Sequence, residues 1–159
     1  MKRPLVFGLS MMMDAVLLDQ VSKWLVLRAS PVLAGDVFFL HVGIKWVLNK
    51  HFAFSVPAPL WLIGLVVLSV LILVARRWWQ EVRAGLASSY GLALVLGGAL
   101  GNIIDRVRLG GVQDWIEVGI KGWSTSSFNI ADVLIVVGVL LWAYLSRKRE
   151  ENLSSSIVS

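Results

Sequence analysis

The sequence has 159 residues, of which 57% are hydrophobic and 16% charged, and it carries a formal net charge of +5. Soluble domains are nearer ~45–50% apolar and ~25% charged, so we expect a single compact integral membrane domain. The chain has no cysteine and only two histidines, which excludes disulfides, thiolate catalysis and metal centres rich in cysteine or histidine.

Four apolar stretches predict four membrane-spanning helices, because a transmembrane helix needs ~20 mostly apolar residues. The first follows Met1-Lys2-Arg3 and so resembles a signal peptide, but Asp14, Asp19 and Lys23 interrupt it, which favours an uncleaved helix. Residues 1–149 would then form one membrane domain, followed by a polar tail, 150–159, that is expected to be disordered. The predicted spans are, in order, about 4–27, 59–75, 86–104 and 130–145.

The basic residues predict how the chain is oriented in the membrane. Four spans place both termini on one side, and that side collects eight basic residues in short segments beside the spans: Lys2, Arg3, Arg76, Arg77, Arg83, Arg147, Lys148 and Arg149. The other side collects six: Arg28, Lys45, Lys50, Arg106, Arg108 and Lys121. Short cytoplasmic segments are enriched in Lys and Arg, so we expect cytoplasmic termini and outward-facing loops at about 28–58 and 105–129.

The first outer loop contains a period-two pattern. From Leu40 to Leu48, apolar residues alternate with others, which is typical of a β-strand with one apolar face. The pattern predicts a small extracytoplasmic sheet at the membrane surface. An irregular amphipathic segment lying in the membrane interface is the alternative.

Charged residues inside the first span need partners or a function, since each costs roughly 2.5–3.5 kcal/mol at the centre of a membrane helix. Asp19 and Lys23 are four residues apart, so they share a helix face and are predicted to form an ion pair. Asp14 lies near the middle of the span without such a partner. In the third span, three small residues are predicted to bring it close to the fourth: Gly97, Gly98 and Gly101.

Polar residues cluster where the third span ends. Asn102 and Arg106 share a helix face, with Asp105 beside them, at the predicted outer boundary of the membrane. These side chains would either orient a polar substrate or hydrogen-bond the following loop. Both interpretations are open on the sequence.

Asp114 and Asp132 are the candidate catalytic residues. Asp114 lies in the second outer loop, and Asp132 lies at the start of the fourth span, just after Asn129. Two carboxylates close together cannot both ionise cheaply, so they share a proton and supply an acid and a base together. Amide hydrolysis without a metal needs that combination. The alternatives are a solvated loop charge for Asp114 and a helix N-cap for Asp132.

Five motifs follow one another along the four predicted spans: Asp19-Gln20-Val21-Ser22-Lys23, Asn49 with Phe54-Ser55, Gly97-Gly98-Ala99-Leu100-Gly101-Asn102-Ile103-Ile104-Asp105-Arg106, Val112-Gln113-Asp114-Trp115-Ile116, and Phe128-Asn129-Ile130-Ala131-Asp132. Each is weak by itself, but all five in this order are highly specific. In these motifs the sequence resembles the lipoprotein signal peptidases, the aspartyl membrane proteases of bacteria. The resemblance covers nearly the whole chain.

The resemblance implies an enzyme that removes the signal peptide from diacylglyceryl-modified prolipoproteins, cutting just before the lipidated cysteine. It implies a catalytic pair, Asp114 and Asp132, and a set of substrate-binding or supporting residues: Asn49, Asn102, Arg106, Asn129, Asp19 and Lys23. The expected partners are the prolipoprotein and membrane lipids, with no nucleic acid, no cofactor and a monomeric state. The expected location is the bacterial inner membrane, with the active site at its outer face.

The chain departs from the family pattern at two places. The family usually has a glycine two residues after the motif asparagine, with small residues following, whereas His51 and Phe52 follow Asn49 here. A different local turn is therefore expected after Asn49. Asp14 also lies outside the family pattern, and neither departure involves the catalytic pair.

Two other classes of function remain on the residues themselves. An ion-coupled carrier would use Asp14, Asp19 and Lys23 as an intramembrane relay and would not need Asp114. A membrane scaffold packing through its glycines would tolerate changes at both Asp114 and Asp132. A peptidase requires both.

Overall fold

A computed structural model describes residues 2–29, 33–37, 40–50, 59–120, 123–124 and 127–158. Four long helices and four strands occur in them, so the prediction of a mainly α-helical chain with a small β-sheet is confirmed. The elements are, in chain order, α1 Lys2–Ala29, β1 Leu33–Val37, β2 Leu40–Asn49, α2 Leu60–Arg83, α3 Ser89–Leu109, β3 Val112–Ile120, β4 Trp123–Ser124 and α4 Ile130–Val158.

Two of the helices are long and apolar enough to cross a membrane, over Arg3–Ala29 in α1 and Ile130–Ser155 in α4. Helix α3 begins soon after α2 ends, because Gly85 takes a left-handed conformation with φ 68° just past the last turn of α2. Gly110, with φ 70°, ends α3 in the same way. This second turn leads directly into β3, so the end of α3 and the start of β3 lie side by side.

The four strands form one antiparallel sheet in the order β1-β2-β3-β4. The alternating stretch from Leu40 to Leu48 falls within β2, so the prediction of a strand there is confirmed. Strand β2 pairs with β3 so that Val47 lies opposite Asp114 and Asn49 lies opposite Val112. The register between these strands shifts between Ile44 and Val47. This pairing carries the end of β2 to the first residues of β3.

Helix α3 packs against both α1 and α4 through its glycines. A Cβ added at Gly98 would lie 2.6 Å from the carbonyl oxygen of Ala131 in α4, as expected from the sequence. At Gly97 and Gly101, however, the added Cβ would meet α1, at 2.6 Å from the Cβ of Ala15 and 2.5 Å from Oδ2 of Asp19. The prediction that small residues bring α3 close to α4 is therefore confirmed at Gly98, whereas Gly97 and Gly101 bring α3 close to α1.

Helix α4 continues through Val158, so the disorder expected for 150–159 is wrong for its described part. No glycine or proline interrupts the sequence after Gly138, and these are the residues that end helices most strongly. An ion pair at i,i+4 between Arg147 and Glu151, with Nε to Oε1 at 3.2 Å, adds local support.

A buried carboxylate joins α2 to α4 at the opposite end of the bundle from β3. Glu81 is 2% exposed, and its Oε1 accepts a hydrogen bond of 2.9 Å from Nε1 of Trp142. The same oxygen forms an ion pair with Arg77, at 2.9 Å from its Nε. We expect Glu81→Ala to lower the free energy of unfolding by about 1–3 kcal/mol, because the indole N–H loses its acceptor. Thermal unfolding in detergent would measure this loss. Glu81→Gln keeps an acceptor oxygen and should lose less, so equal losses in the two variants would contradict this role.

Candidate active site

The predicted site residues meet where the start of β3, the start of α4, the end of β2 and one end of α1 and α3 come together. Asp114 lies in β3 and Asp132 in the first turn of α4. The structure also brings the six residues that the resemblance implies as substrate-binding or supporting into one connected set of polar contacts around this pair: Asn49, Asn102, Arg106, Asn129, Asp19 and Lys23.

Asp114 is held by two asparagine side chains. Its Oδ2 accepts a hydrogen bond of 3.1 Å from Nδ2 of Asn49, and its Oδ1 accepts one of 2.7 Å from Nδ2 of Asn129. The residue is 3% exposed. Asn49 therefore contacts the site although His51 and Phe52, where the turn is expected to differ, lie outside the described residues.

Asp132 forms a reciprocal capping arrangement with Asn129. Oδ1 of Asn129 accepts from the backbone N–H of Asp132 at 3.0 Å, and Oδ2 of Asp132 accepts from the backbone N–H of Asn129 at 3.2 Å. This pattern satisfies two N–H groups that a helix start otherwise leaves without partners. The N-cap is thus Asn129, and Asp132 lies three residues into the arrangement, so the alternative that Asp132 is itself the N-cap is wrong.

Two asparagine amides connect the aspartates to each other. Nδ2 of Asn129, which donates to Asp114, also donates to Oδ1 of Asn102 at 3.1 Å. Nδ2 of Asn102 in turn donates to Oδ1 of Asp132 at 2.9 Å. Asn129 is fully buried, so each of its polar groups is used inside the protein. This series of hydrogen bonds, from Asp114 through Asn129 and Asn102 to Asp132, fixes the positions of the two carboxylates relative to each other.

Burial raises the pKa of Asp114 to about 6, and the negative charge of Asp132 adds to this effect. The hydrogen bonds from Asn49 and Asn129, together with the more distant charge of Lys23, lower the pKa and oppose part of the rise. The guanidinium of Arg106 interacts electrostatically with both aspartates, most strongly with Asp132. Asp114 therefore retains its proton to a higher pH than an aspartate in solution.

Lys23 lies at the centre of a second polar cluster beside the aspartates. Its Nζ is 2.7 Å from Oδ2 of Asp19, 2.7 Å from Oδ2 of Asp105 and 3.2 Å from Oδ1 of Asn102. The side chain of Lys23 is 3% exposed and that of Asp19 fully buried. The predicted Asp19–Lys23 ion pair is confirmed, and Asp105 is a second carboxylate on the same ammonium group.

The two carboxylates bound to Lys23 also hold the backbone next to each candidate catalytic residue. Oδ1 of Asp19 accepts from the N–H of Ala131 at 3.0 Å, and Oδ2 of Asp105 accepts from the N–H of Gln113 at 3.0 Å. Ala131 and Gln113 directly precede Asp132 and Asp114 in the sequence. The ammonium group thus ties the start of α4 to the start of β3, and we name Asp19, Lys23 and Asp105 the lysine cluster.

Sequence reasoning missed part of this cluster. The sequence places Asp105 at the predicted membrane boundary and does not indicate a partner for Gln20, whereas in the structure Nε2 of Gln20 donates to Oδ1 of Asp105 at 3.0 Å. The available signal was Lys23 itself. A lysine inside a predicted membrane span needs acidic partners, and its ammonium group can pair with two carboxylates. Nη1 of Arg106 donates to the backbone oxygen of Asn102 at 3.2 Å, within α3. Asp14 lies on an exposed face of α1, away from the cluster.

The arrangement has the parts that carboxylate-catalysed hydrolysis needs. One buried carboxyl group has a raised pKa, a second lies within its electrostatic reach, and a guanidinium lies near both. Among the residues that the structure describes, no group of three or more His, Cys, Asp or Glu side chains could hold a metal ion.

Gly101 is required by the close approach of Asp19. A Cβ at this position would lie 2.5 Å from Oδ2 of Asp19, the oxygen that binds Lys23. We expect Gly101→Ala to displace that carboxylate, to lower the free energy of unfolding by about 1–3 kcal/mol and to reduce activity. Gly35→Ala is the matched control because nothing lies within 4 Å of a Cβ there. Thermal unfolding and cleavage rates measured on both variants would test this, and equal behaviour would contradict it.

Comparison with known families identifies similar proteins along nearly the whole chain. Residues 11–147 match the family model described as signal peptidase (SPase) II. Proteins named lipoprotein signal peptidase from Brucella ovis and Brucella canis are each 37% identical over 158 residues, covering 94% of this chain and 98% of theirs.

Solved structures show the same architecture. A bacterial membrane enzyme determined by the in meso method at 2.3 Å superposes with a TM-score of 0.73 at 27% identity, covering 92% of this chain and 90% of that one. A second, determined at 1.9 Å, superposes with a TM-score of 0.69 at 27% identity, covering 85% and 88%.

Proposed function

The chain belongs to the signal peptidase II family of proteases, which remove signal peptides from prolipoproteins, and we propose that it acts as an aspartic peptidase through Asp114 and Asp132. The observation that carries this proposal is the hydrogen-bonded frame in which Asn129 and Asn102 connect the two carboxylates. The proposed substrate is the diacylglyceryl-modified prolipoprotein, cut just before its lipidated cysteine.

The pKa of Asp114, raised to about 6, assigns it the role of the acid, and Asp132, which interacts with Arg106, is the base. Asp132 takes a proton from water as the water oxygen attacks the scissile carbonyl carbon. Asp114 donates its proton in a hydrogen bond to the carbonyl oxygen, where negative charge develops. The proton held by Asp132 then passes to the leaving nitrogen as the C–N bond breaks.

The remaining site residues are proposed to position this pair. Asn49 and Asn129 orient Asp114, and Asn102 orients Asp132, through the hydrogen bonds described above. Arg106 would bind a carbonyl oxygen of the substrate close to the pair. Asp19 accepts a hydrogen bond from the backbone N–H of Ala131 in α4, and Lys23 holds the carboxylate of Asp19, so this pair would fix the start of α4.

We also propose that all four helices span the bacterial inner membrane in one domain, with both termini in the cytoplasm. Helices α1 and α4 have the required length and apolarity, and basic residues gather in the short segments at one end of the bundle. The sheet and the candidate site lie at the other end, which would face outward. The protein would act as a monomer among membrane lipids.

A cleavage assay with defined products tests the proposed substrate. Purified protein would be given a lipidated prolipoprotein and the same protein without lipid, and mass spectrometry would identify the new amino terminus. We expect cleavage of the lipidated form only, with the lipid-bearing cysteine as the new first residue. Cleavage at another bond, or of both forms equally, would contradict the proposed specificity.

The raised pKa of Asp114 predicts the pH dependence of activity. Since the acid must be protonated, kcat/KM is expected to fall as the pH rises through about 6. Burial favours the neutral form of this carboxyl group, so its contribution to stability also falls as the pH rises from the unfolded value of 3.8 to about 6.

Asn49→Ala provides the test of this assignment. The hydrogen bond from Asn49 lowers the pKa of Asp114, so its loss should move the inflection in kcat/KM to higher pH. Lys50→Ala, one residue further on, is the control and should leave the inflection in place. An unchanged inflection in Asn49→Ala would mean that another group controls the pH profile.

A further inference from the structure

The outer half of α2 separates from α3 and leaves a groove beside the candidate site. The inner halves of the two helices are packed, with Trp78 and Val82 of α2 against Leu92, Ala93 and Leu96 of α3. Further along, a cavity of about 340 Å³ lies between them. Its lining is apolar except for one side chain, and consists of Gly64, Val67 and Leu68 of α2 with Ile103, Arg106, Val107 and Gly110 of α3.

The charged side chain connects this groove to the candidate catalytic pair. Arg106 lines the cavity, interacts electrostatically with Asp114 and Asp132, and donates to the backbone oxygen of Asn102. The side chain of Asn102 in turn donates to Asp132. The groove therefore has an apolar lining with a single guanidinium, and this guanidinium also interacts with the two aspartates.

This combination of surfaces matches one part of the proposed substrate. The lipid of a diacylglyceryl cysteine begins only a few covalent bonds from the bond to be cut, so its chains must leave the site next to the aspartates. Its ester carbonyls are acceptors for the donors of a guanidinium, and its chains suit an apolar channel open to the bilayer. From Ile103 to Gly110 the channel is about 10 Å long, at about 1.5 Å per helical residue.

We propose that the groove between α2 and α3 is the subsite for an acyl chain of the substrate's diacylglyceryl group, with Arg106 at its ester end. The inference rests on the proposed function. Lipid chains are as apolar as the groove, so burial in it gives little affinity beyond the bilayer itself. The groove instead orients the chain, and through it the lipidated cysteine, relative to the aspartates.

Filling the groove should therefore discriminate between substrates by chain length. Nothing lies within 4 Å of a Cβ at Gly64, so Gly64→Leu places bulk in the groove without disturbing the packing. We expect kcat/KM for a dipalmitoyl substrate to fall by about tenfold or more, a discrimination typical of a hydrophobic pocket, while a diacetyl substrate, whose chains are too short to extend along the groove, is little affected. Ser69→Leu adds similar bulk on an exposed part of α2 outside the groove and should change neither rate.

A photo-cross-linking experiment locates the chain directly. Lipidated substrate with a diazirine in one acyl chain would be bound to the Asp132→Asn variant in vesicles, and the labelled residues identified by mass spectrometry. Label on the groove residues of α2 and α3, lost in Gly64→Leu and retained in Ser69→Leu, is the expected result.

Two outcomes would overturn the proposal. One is label on other helices together with equal rates of Gly64→Leu on both chain lengths. The other is obtained with a phosphatidylcholine that carries a diazirine. If it labels the same residues and unlabelled substrate does not reduce that label, the groove belongs to bulk bilayer lipid. Cleavage by Asp132→Asn would count against the aspartic mechanism instead. The label would still show where the acyl chain lies, because the lipid stays on the cysteine after cleavage.

Discussion

Asp114→Asn and Asp132→Asn are each expected to lower kcat by at least about 10³-fold, because each removes one of the two carboxyl groups on which the proposed aspartic mechanism depends. The asparagine replacement preserves size, so the loss would be one of chemistry. The double variant is expected to lose little more than either single variant, since two groups that act as a unit are strongly non-additive. Rates on a lipidated prolipoprotein, followed by gel shift, would measure these losses.

Two control variants separate this effect from a general loss of charge. Glu117→Gln removes a carboxylate from the same strand as Asp114, and Asp14→Asn removes one from the exposed face of α1. Both should keep full activity. If either aspartate variant retained wild-type cleavage, the water would be activated elsewhere. If Asp14→Asn were inactive and Asp114→Asn active, the ion-carrier alternative would be favoured.

Folding of the aspartate variants has to be verified in the same experiment. An amide at 114 brings an NH₂ group against the donors of Asn49 or Asn129, whereas an amide at 132 interferes with the cap of α4. Circular dichroism and thermal unfolding would show whether each variant is folded. A folded and inactive variant supports the catalytic role, and only the folded fraction should be used to normalise rates.

Lys23→Met is expected to have the second largest effect. Its ammonium group is the shared partner of Asp19 and Asp105, both almost completely buried. Removing one partner of a buried ionic group while leaving the others is costly, at about 3–5 kcal/mol. We expect a loss of unfolding free energy of that order, and a fall in kcat because the amides of Ala131 and Gln113 lose their fixed acceptors. Thermal unfolding and the separate values of kcat and KM would be measured.

A double variant distinguishes positioning from simple loss of stability. Lys23→Met combined with Asp105→Asn leaves one fewer buried charge and keeps an acceptor for the N–H of Gln113, so part of the stability should return. The charge of Lys23 lowers the pKa of Asp114, so the inflection in the pH profile should move upward in both variants. Recovery of stability without any change in that inflection would mean that the cluster is purely structural.

The sequence predicted most of the candidate site residues and the local Asp19–Lys23 ion pair, but not the contacts between distant segments. The spacing of Asn129 and Asp132 indicates a helix start, and that is local information. The bond from Asn49 to Asp114 depends on β2 pairing with β3, between residues far apart in the chain. The bond from Lys23 to Asp105 depends on α1 packing against α3. Both are tertiary contacts, and local patterns do not determine them.

The helices show the same division between local and tertiary information. Apolar runs predicted their existence, whereas the end of α4 was missed because polarity was interpreted as disorder. The orientation of Gly97 and Gly101 was missed because a stripe of small residues indicates a close neighbour without indicating which one. Strand β2 was predicted because its alternation has a period of two that is visible within the segment itself.

The cap on α4 links activity to the order in which the chain is made. Asp132 belongs to α4, the last of the four described helices to be synthesised, and the N–H beside it is held by Asp19 from α1. A nascent chain that ends before Asn129 has neither the second carboxylate nor the asparagine that orients the first. If Asp114 and Asp132 are the catalytic pair, as proposed, the enzyme is inert while it is being inserted, and proteolytic activity begins only when α4 has joined α1.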